Sequence, residues 1–304
     1  MGSSYFACHP AVAELARAGI PAVHADAAEL LHFRTRMLSG RVAVVIVSQS
    51  GESAEVVRLV RAVRALPRPP AVIAVTNGPH NTLAAGADVA LDTLAGEEAG
   101  PSTKTFVSAL VVLGALARVL AGVGPDDAVV RAGEDAALAA DAIEKLLCQP
   151  ELAERLVALW GARARGVLLG RGPSRAAAEM GALTIKEAAA RPVESLQAAQ
   201  FRHGPLELAG SDLAAFVFAT EPETLALDLG LVDELAGLGT TVVAVTPAPD
   251  APGAAVTVRV PNLHRTVAPA ASIVPVQLLA WQLARSHGRT PGTFVHAAKV
   301  TTRE

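Results

Sequence analysis

Short apolar runs rich in β-branched residues alternate along the chain with longer stretches whose apolar positions recur every three to four residues. The short runs fall at 42–47, 71–76 and 88–92 in the first half, and at 166–169, 213–219, 240–246 and 255–261 in the second. They are apolar throughout rather than alternating, the mark of strands buried on both faces in a parallel sheet with helices on each side. The periodic stretches predict helices over 53–66, 103–120, 175–190, 222–237 and 270–286. Between the halves, Gly122-Val123-Gly124-Pro125-Asp126-Asp127 leads into two helical stretches, 128–147 and 151–162, which read as a helical bridge and not a flexible linker. The chain divides accordingly into a first domain, 1–124, a bridge, 125–162, a second domain, 163–290, and a tail, 291–304.

The halves look like an internal repeat. Gly170-Arg171-Gly172-Pro173-Ser174 follows the first strand of the second half, and Gly2-Ser3-Ser4-Tyr5 is the matching loop of the first. In that register the first half starts inside its own strand-to-loop turn, without a leading helix and strand. Its sheet is expected to be one strand short, with a position left exposed or filled by a strand from elsewhere.

A length of 304 residues fits two domains at roughly 150 residues each. The best candidate for a membrane span, 107–123, is interrupted by Arg118 and falls short of the roughly 18 uncharged positions a span needs. The N-terminus shows no basic region followed by a long apolar run. Two cysteines, Cys8 and Cys148, lie far apart and outside any CxxC, so neither a disulfide framework nor a zinc site is expected, and a reducing cytoplasm is the default compartment. A net charge of -3 with no block of one sign argues against a nucleic-acid partner. Of the 26 basic residues only 4 are Lys, namely Lys104, Lys145, Lys186 and Lys299. Where the chain keeps Lys it keeps a primary amine that can lose its proton, which guanidinium cannot supply.

The densest chemistry is in Val45-Ile46-Val47-Ser48-Gln49-Ser50-Gly51-Glu52-Ser53, where an apolar strand ends in a hydroxyl-rich turn that opens a helix. Ser48, Ser50 and Ser53 offer hydroxyls, Gln49 an amide, Gly51 a close backbone approach, and the helix start its free N–H groups and positive dipole end. A phosphate monoester suits such a cradle, whereas the lysine of a nucleoside-triphosphate loop is missing. Ordinary helix capping by Ser50 or Ser53 is the plainer explanation for any one serine, but not for four donors together. In the second half the matching run, Phe218-Ala219-Thr220-Glu221-Pro222-Glu223-Thr224, lacks Gly and carries acids, so one phosphate site per chain is expected, in the first half.

That loop, together with Ser102-Thr103-Lys104-Thr105, Gly181-Ala182-Leu183 with Lys186-Glu187, Arg202-His203-Gly204-Pro205-Leu206 and Ala298-Lys299-Val300-Thr301, resembles the double SIS (sugar isomerase) family across essentially the whole chain. The isomerase half of glucosamine-6-phosphate synthase is the relative with nameable chemistry. The resemblance implies an α/β fold of two tandem SIS domains, each a flavodoxin-like three-layer α/β/α unit. It gives Ser48, Gln49, Ser50 and Ser53 the phosphate of a hexose 6-phosphate, and places Ser3, Ser4, Ser102 and Ala298 near the sugar. It makes Glu187 the base of a 1,2-proton shift, a task one carboxylate can perform at two adjacent carbons. His203 is implied in ring opening from a neighbouring subunit, hence a homodimer, and imidazole titrates in the range that proton transfer to a ring oxygen needs. Lys299 is implied in imine formation or ring opening, which require an amine. No metal and no organic cofactor is implied.

The pattern departs from that of the synthase at three places. Thr184 stands where the synthase has a second lysine, three positions before the glutamate. Residue 2 is Gly and not a nucleophilic cysteine, so glutamine is not expected as the nitrogen donor through this chain alone. The run Ala95-Gly96-Glu97-Glu98-Ala99-Gly100-Pro101-Ser102 is one residue shorter and carries a pair of acids, so contacts to the far end of the sugar are expected to differ. These features favour an isomerase-type enzyme on a hexose 6-phosphate or amino-hexose 6-phosphate, with amine release by a glucosamine-6-phosphate deaminase or fructosamine-phosphate deglycase included. A non-catalytic sugar-phosphate sensor is the alternative, although such a protein needs none of the Glu187, His203 and Lys299 set.

Overall fold

The computed structural model describes residues 1–161 and 163–303, so Ala162 and Glu304, the last residues of the predicted bridge and tail, lie outside the described residues. The chain opens with α1 (Gly2–Phe6), α2 (Cys8–Arg17) and α3 (Ala27–Phe33). A first α/β layer follows: β1 (Ala43–Ser48), α4 (Ala54–Arg64), β2 (Ala71–Thr76), α5 (Thr82–Ala85), β3 (Val89–Asp92) and α6 (Lys104–Leu120). Two helices, α7 (Pro125–Leu147) and α8 (Pro150–Trp160), form the bridge, with proline at the start of each, where a missing N–H costs nothing. The second unit comprises β4 (Arg165–Gly170), α9 (Arg175–Ala189), β5 (Glu194–Gln197), α10 (Ala198–Phe201), β6 (Leu213–Phe218), α11 (Leu225–Gly237), β7 (Thr241–Thr246), β8 (Val256–Arg259), α12 (Ala268–Ser272) and α13 (Val274–Ser286).

Both sheets are parallel. The second has five strands in the order β5-β4-β6-β7-β8, and the first has three in the order β1-β2-β3. All strands read from the sequence are present. The added strand, β5, is short and half-polar (Glu194, Ser195, Gln197), so it carries no apolar run to mark it. The first sheet is therefore two strands narrower than the second, not one. Among the described residues β1 pairs only with β2, and no strand from the second half takes the open side.

Two local readings change. Gly2–Phe6 is helical and not a loop, in step with Gly172–Ser174 of the second half, a 3-10 turn that runs into α9. The stretch 270–286 is two helices, because Pro275 in the first turn of α13 restarts the helix after Ile273.

One buried cluster runs from Ala7, Val75, Phe106 and Leu110 in the first half through Leu156 and Trp160 of the bridge to Leu168, Phe216, Ile273 and Leu279 in the second. Since a continuous core crosses from half to half, the strand ends and helix starts of the first unit are held in fixed relation to α9 of the second.

Candidate active site

At the carboxyl end of β1, Ser48 is buried and its Oγ accepts the Gly51 N–H at 3.2 Å. Ser50 Oγ accepts the Glu52 N–H at 3.2 Å, and Ser4 Oγ, from α1, accepts the Gln49 N–H at 3.3 Å. A hydroxyl that accepts from the backbone keeps its own proton free to donate, so each of these three retains a donor. Ser53 is the extended residue before α4, and its side chain makes no capping bond. Gly51 holds a φ of +64°, and a Cβ there would stand 2.0 Å from Asn81 Oδ1, so both conformation and space require glycine. Glu52 fastens the loop from outside by accepting the Thr82 N–H at 2.5 Å and the Thr82 hydroxyl at 2.9 Å.

Helix α1 also carries Ser3, whose Oγ donates to Ser102 Oγ, just before α6, at 2.9 Å. The helix is seated on the second unit by a ring cluster: Tyr5 stacks on His24, His9 meets His24 edge-on, and His9 Nε2 pairs with Glu179 Oε2 at 2.9 Å on α9. Burial, the largest influence, lowers the His24 pKa to about 4 and leaves its ring neutral.

The tail closes over the same place. Lys299 Nζ donates to Glu98 Oε2 at 2.7 Å and to the Gly100 carbonyl at 2.9 Å. Two residues on, the Thr301 carbonyl accepts the Ala54 N–H at 3.0 Å, one of the free donors at the start of α4. Ala298, just before the lysine, is exposed. Glu98 also receives the Thr103 and Thr105 N–H groups and the Thr105 hydroxyl at 2.9, 3.2 and 2.5 Å, so it caps α6 from five residues upstream. Burial alone would raise its pKa, but the Lys299 ammonium and the Thr105 and Thr103 donors together hold it below the usual carboxylate range.

Glu187 occupies the last turn of α9 and has the opposite environment. Its Oε2 is buried with no hydrogen-bond partner among the described residues. Burial raises its pKa, and the charge of Lys299 partly offsets the rise. Nearby Thr184 is buried and returns its hydroxyl to the Met180 carbonyl at 2.9 Å, so it supplies no proton-transfer group.

The structure thus draws Ser3, Ser4, Ser48, Gln49, Ser102 and Lys299 into one hydrogen-bonded neighbourhood, with Glu187 close enough to feel the lysine's charge. His203 is not part of it. Its ring is exposed in the turn after α10, ahead of Gly204 at φ +117°, and makes no hydrogen bond or ion pair among the described residues. Of the other lysines, Lys104 and Lys186 are exposed, and Lys145 pairs with Asp141 at 2.8 Å on the surface of α7. The residue that sequence reasoning passed over is Glu98, noted only as one of two acids; the Thr103 and Thr105 that follow it were the available sign of a capping role. In the second half Glu221 is buried against Ser174 Oγ at 3.2 Å, and burial raises its carboxyl pKa to about 7. A carboxyl stands there in place of an anion cradle.

A family model described as SIS domain matches residues 1–119 and 158–285. The chain is 31% identical over 292 residues to an isomerizing glutamine–fructose-6-phosphate aminotransferase of Bradyrhizobium diazoefficiens, a match covering 92% of this chain and 47% of that protein. It is 32% identical over 269 residues to the protein of the same name from Pyrobaculum aerophilum, covering 86% of this chain and 43% of that one. The chain spans about half the length of the curated relatives it matches. Among solved structures, the C-terminal domain of glucosamine-fructose-6-phosphate aminotransferase from Francisella tularensis superposes with a TM-score of 0.83 at 23% identity, over 96% of this chain and 85% of that one. Glucosamine-6-phosphate deaminase from Thermotoga maritima gives a TM-score of 0.75 at 23% identity, over 99% and 88%. At these identities the superpositions speak for the fold.

Proposed function

The chain belongs to the SIS domain family, and from that premise we propose that it is a phosphosugar isomerase-type enzyme acting on a hexose 6-phosphate or its amino derivative. The observation that carries the reading is Glu187: a carboxylate oxygen buried without a partner, raised by that burial and facing the charge of Lys299. Unpaired buried carboxylates are costly in a structural role and suited to a base. The names of the relatives and of the deaminase structure agree with the substrate class.

In this reading the sugar phosphate lies on the hydroxyls of Ser48, Ser50 and Ser53, the Gln49 amide and the start of α4, and Ser3, Ser4, Ser102 and the backbone at Ala298 border the sugar. His203 of a second copy, exposed here, passes a proton to the ring oxygen so that the hemiacetal opens. Lys299 stabilises negative charge at the open-chain carbonyl. Glu187 removes the proton from the adjacent carbon; the C–H electron pair forms the enediol double bond while the carbonyl pair moves to oxygen, which takes a proton. Return of the Glu187 proton to the neighbouring carbon completes the isomerisation. Where one of the two carbons bears nitrogen, the product is an imine, and addition of water releases the amine.

Replacing Glu187 with Gln removes the base and keeps the cradle. Fructose 6-phosphate should bind the variant within about threefold of the parent chain, while exchange of its C1 proton with deuterium, followed by NMR, falls by about 100-fold or more. Exchange at the parental rate would take Glu187 out of the mechanism.

A further inference from the structure

Helices α1 and α2 meet at Ala7, which is fully buried and keeps the right-handed helical conformation, so the backbone passes from one to the other without a loose joint. This helical pair touches α9 at two places. Its start faces Leu183, since a Cβ on Gly2 would stand 3.9 Å from Leu183 Cδ2. Further along, His9 Nε2 reaches Glu179 Oε2 at 2.9 Å, and the two side chains are only 10% and 14% exposed. Ser3 and Ser4 lie between these contacts in sequence, and Glu187 follows Leu183 by one turn of α9. Along the axis of α9, Glu179 and Glu187 are about 12 Å apart.

Unlike Glu187, Glu179 is satisfied on both oxygens. Its Oε1 accepts Arg175 Nε and Nη2 at 3.0 and 2.7 Å, and its Oε2 faces His9. Burial alone would raise its pKa, but the contact with His9 and the Arg175 guanidinium lower it, so the carboxylate is ionised and His9 is the donor between the two. The His24 ring meets His9 edge-on at 4.6 Å and stacks on Tyr5 at 3.8 Å. Its Nε2 is buried without a hydrogen-bond partner among the described residues, a costly state. What the ring supplies in return is a face for Tyr5 and an edge contact for His9, one on each helix of the pair. At the far end of α2, Arg17 also crosses to the second half and pairs with Glu223 at 2.8 Å, but these side chains are 56% and 48% exposed, so that tie is weak.

We propose that His9 and Glu179 are positioning residues for the proton shift: their contact sets where α1 lies along α9, and so the separation between the hydroxyls of Ser3 and Ser4 and the Glu187 carboxylate. The inference rests on the phosphosugar reading above, in which those hydroxyls border the sugar and Glu187 moves its proton. The parts to be aligned come from different halves: Ser4 is joined to the phosphate loop through the Gln49 N–H at 3.3 Å, and Glu187 rides on the second unit. A hydrogen bond is directional where the packing of Ala and Leu side chains is not, so this contact defines a position that apolar burial leaves loose. A misplacement of about 1 Å between base and carbon can cost about 100-fold in rate. The grip on phosphate, built on the turn between β1 and α4, does not depend on the contact.

The test uses the full chain and reads three quantities: the saturated rate of C1-proton exchange in fructose 6-phosphate, its half-saturating concentration, and competition by inorganic phosphate. His9→Phe keeps a ring and removes the N–H, and Glu179→Ala removes the acceptor; with a variant at each partner, one that fails to fold leaves the other to decide. Each should lower the saturated rate about tenfold while the half-saturating concentration and the phosphate affinity stay within about threefold. The two combined should lose no more than about twofold beyond either alone. Glu179→Gln keeps the length and an acceptor oxygen and should recover about half the parental rate or more, and Arg17→Gln, which cuts the exposed tie, should leave the rate within about twofold. An unchanged saturated rate in His9→Phe or Glu179→Ala, a loss in Glu179→Gln as deep as in Glu179→Ala, or a matching fall in phosphate affinity overturns the positioning role and leaves the phosphosugar reading standing. Absence of exchange in the parent chain overturns both.

Discussion

Two glutamates that both interact with Lys299 have their pKa values moved in opposite directions by their surroundings, Glu98 down and Glu187 up. Glu98 is surrounded by donors and an ammonium, whereas Glu187 is partly buried with one oxygen left without a hydrogen-bond partner among the described residues. Because Lys299 pulls the Glu187 pKa down, Lys299→Met should move it further up, so the acid limb of residual proton exchange, or a carbon-13 glutamate signal, shifts to higher pH; an unmoved limb would mean the two charges do not communicate. Glu98→Gln weakens the hold on Lys299. A fall of about tenfold in kcat with little change in KM is expected, since a hydrogen bond to a charged group is worth about 1.5–3 kcal/mol. Glu221 offers a stability test with a defined sign. A carboxyl raised from 4.5 to about 7 keeps its proton in the folded state while the unfolded chain has lost it, so stability declines as pH rises between those values. Glu221→Gln should therefore stabilise the fold at pH 8, by about 3 kcal/mol, and give no gain near pH 4.5; denaturant unfolding at the two pH values decides it. At this scale the turn that gathers Ser48, Gln49 and Ser50 at the end of β1 was legible because its residues are consecutive. Glu98 was not, because its partner is Lys299, 201 positions away, and no local pattern encodes such a pairing.

At the scale of elements, the periodic helices and the buried strands followed from apolar spacing, and the misreadings have physical causes. Strand β5 is polar because it lies at the sheet's edge, and α1 is too short and too rich in Gly and Ser to show a period. The helix that carries Glu187 ends on Ala190 in the left-handed conformation, φ +52° and ψ +35°, a position that glycine usually fills. Ala190→Gly should raise the stability of the chain by about 1 kcal/mol, read as a higher Tm. Gly51→Ala tests the converse. With φ at +64° and Asn81 in the way, the turn must distort, so fructose 6-phosphate affinity should fall by tenfold or more while the far-ultraviolet circular dichroism stays native.

Over the whole molecule, the repeat read from sequence is unequal: five strands against three, and one hydroxyl-rich loop against one acid-bearing loop. The difference between the two loops was legible because one carries Gly and hydroxyls and the other has lost Gly and gained acids, of which Glu221 is buried against Ser174. The strand count was not, because a sheet's open side is a property of pairing. If His203 serves a neighbour's site, mixing Glu187→Gln and His203→Ala chains should regenerate activity that neither has alone, reaching about a quarter of the parental value for freely exchanging dimers; no recovery would place His203 elsewhere. The tail adds a further consequence. Its Thr301 carbonyl holds the Ala54 N–H at the start of α4, the group on which the proposed phosphate would also draw, so Ala54 is a natural reporter: the rate at which its amide proton exchanges with solvent measures, at a single backbone position, whether the strap bearing the lysine is seated or adrift.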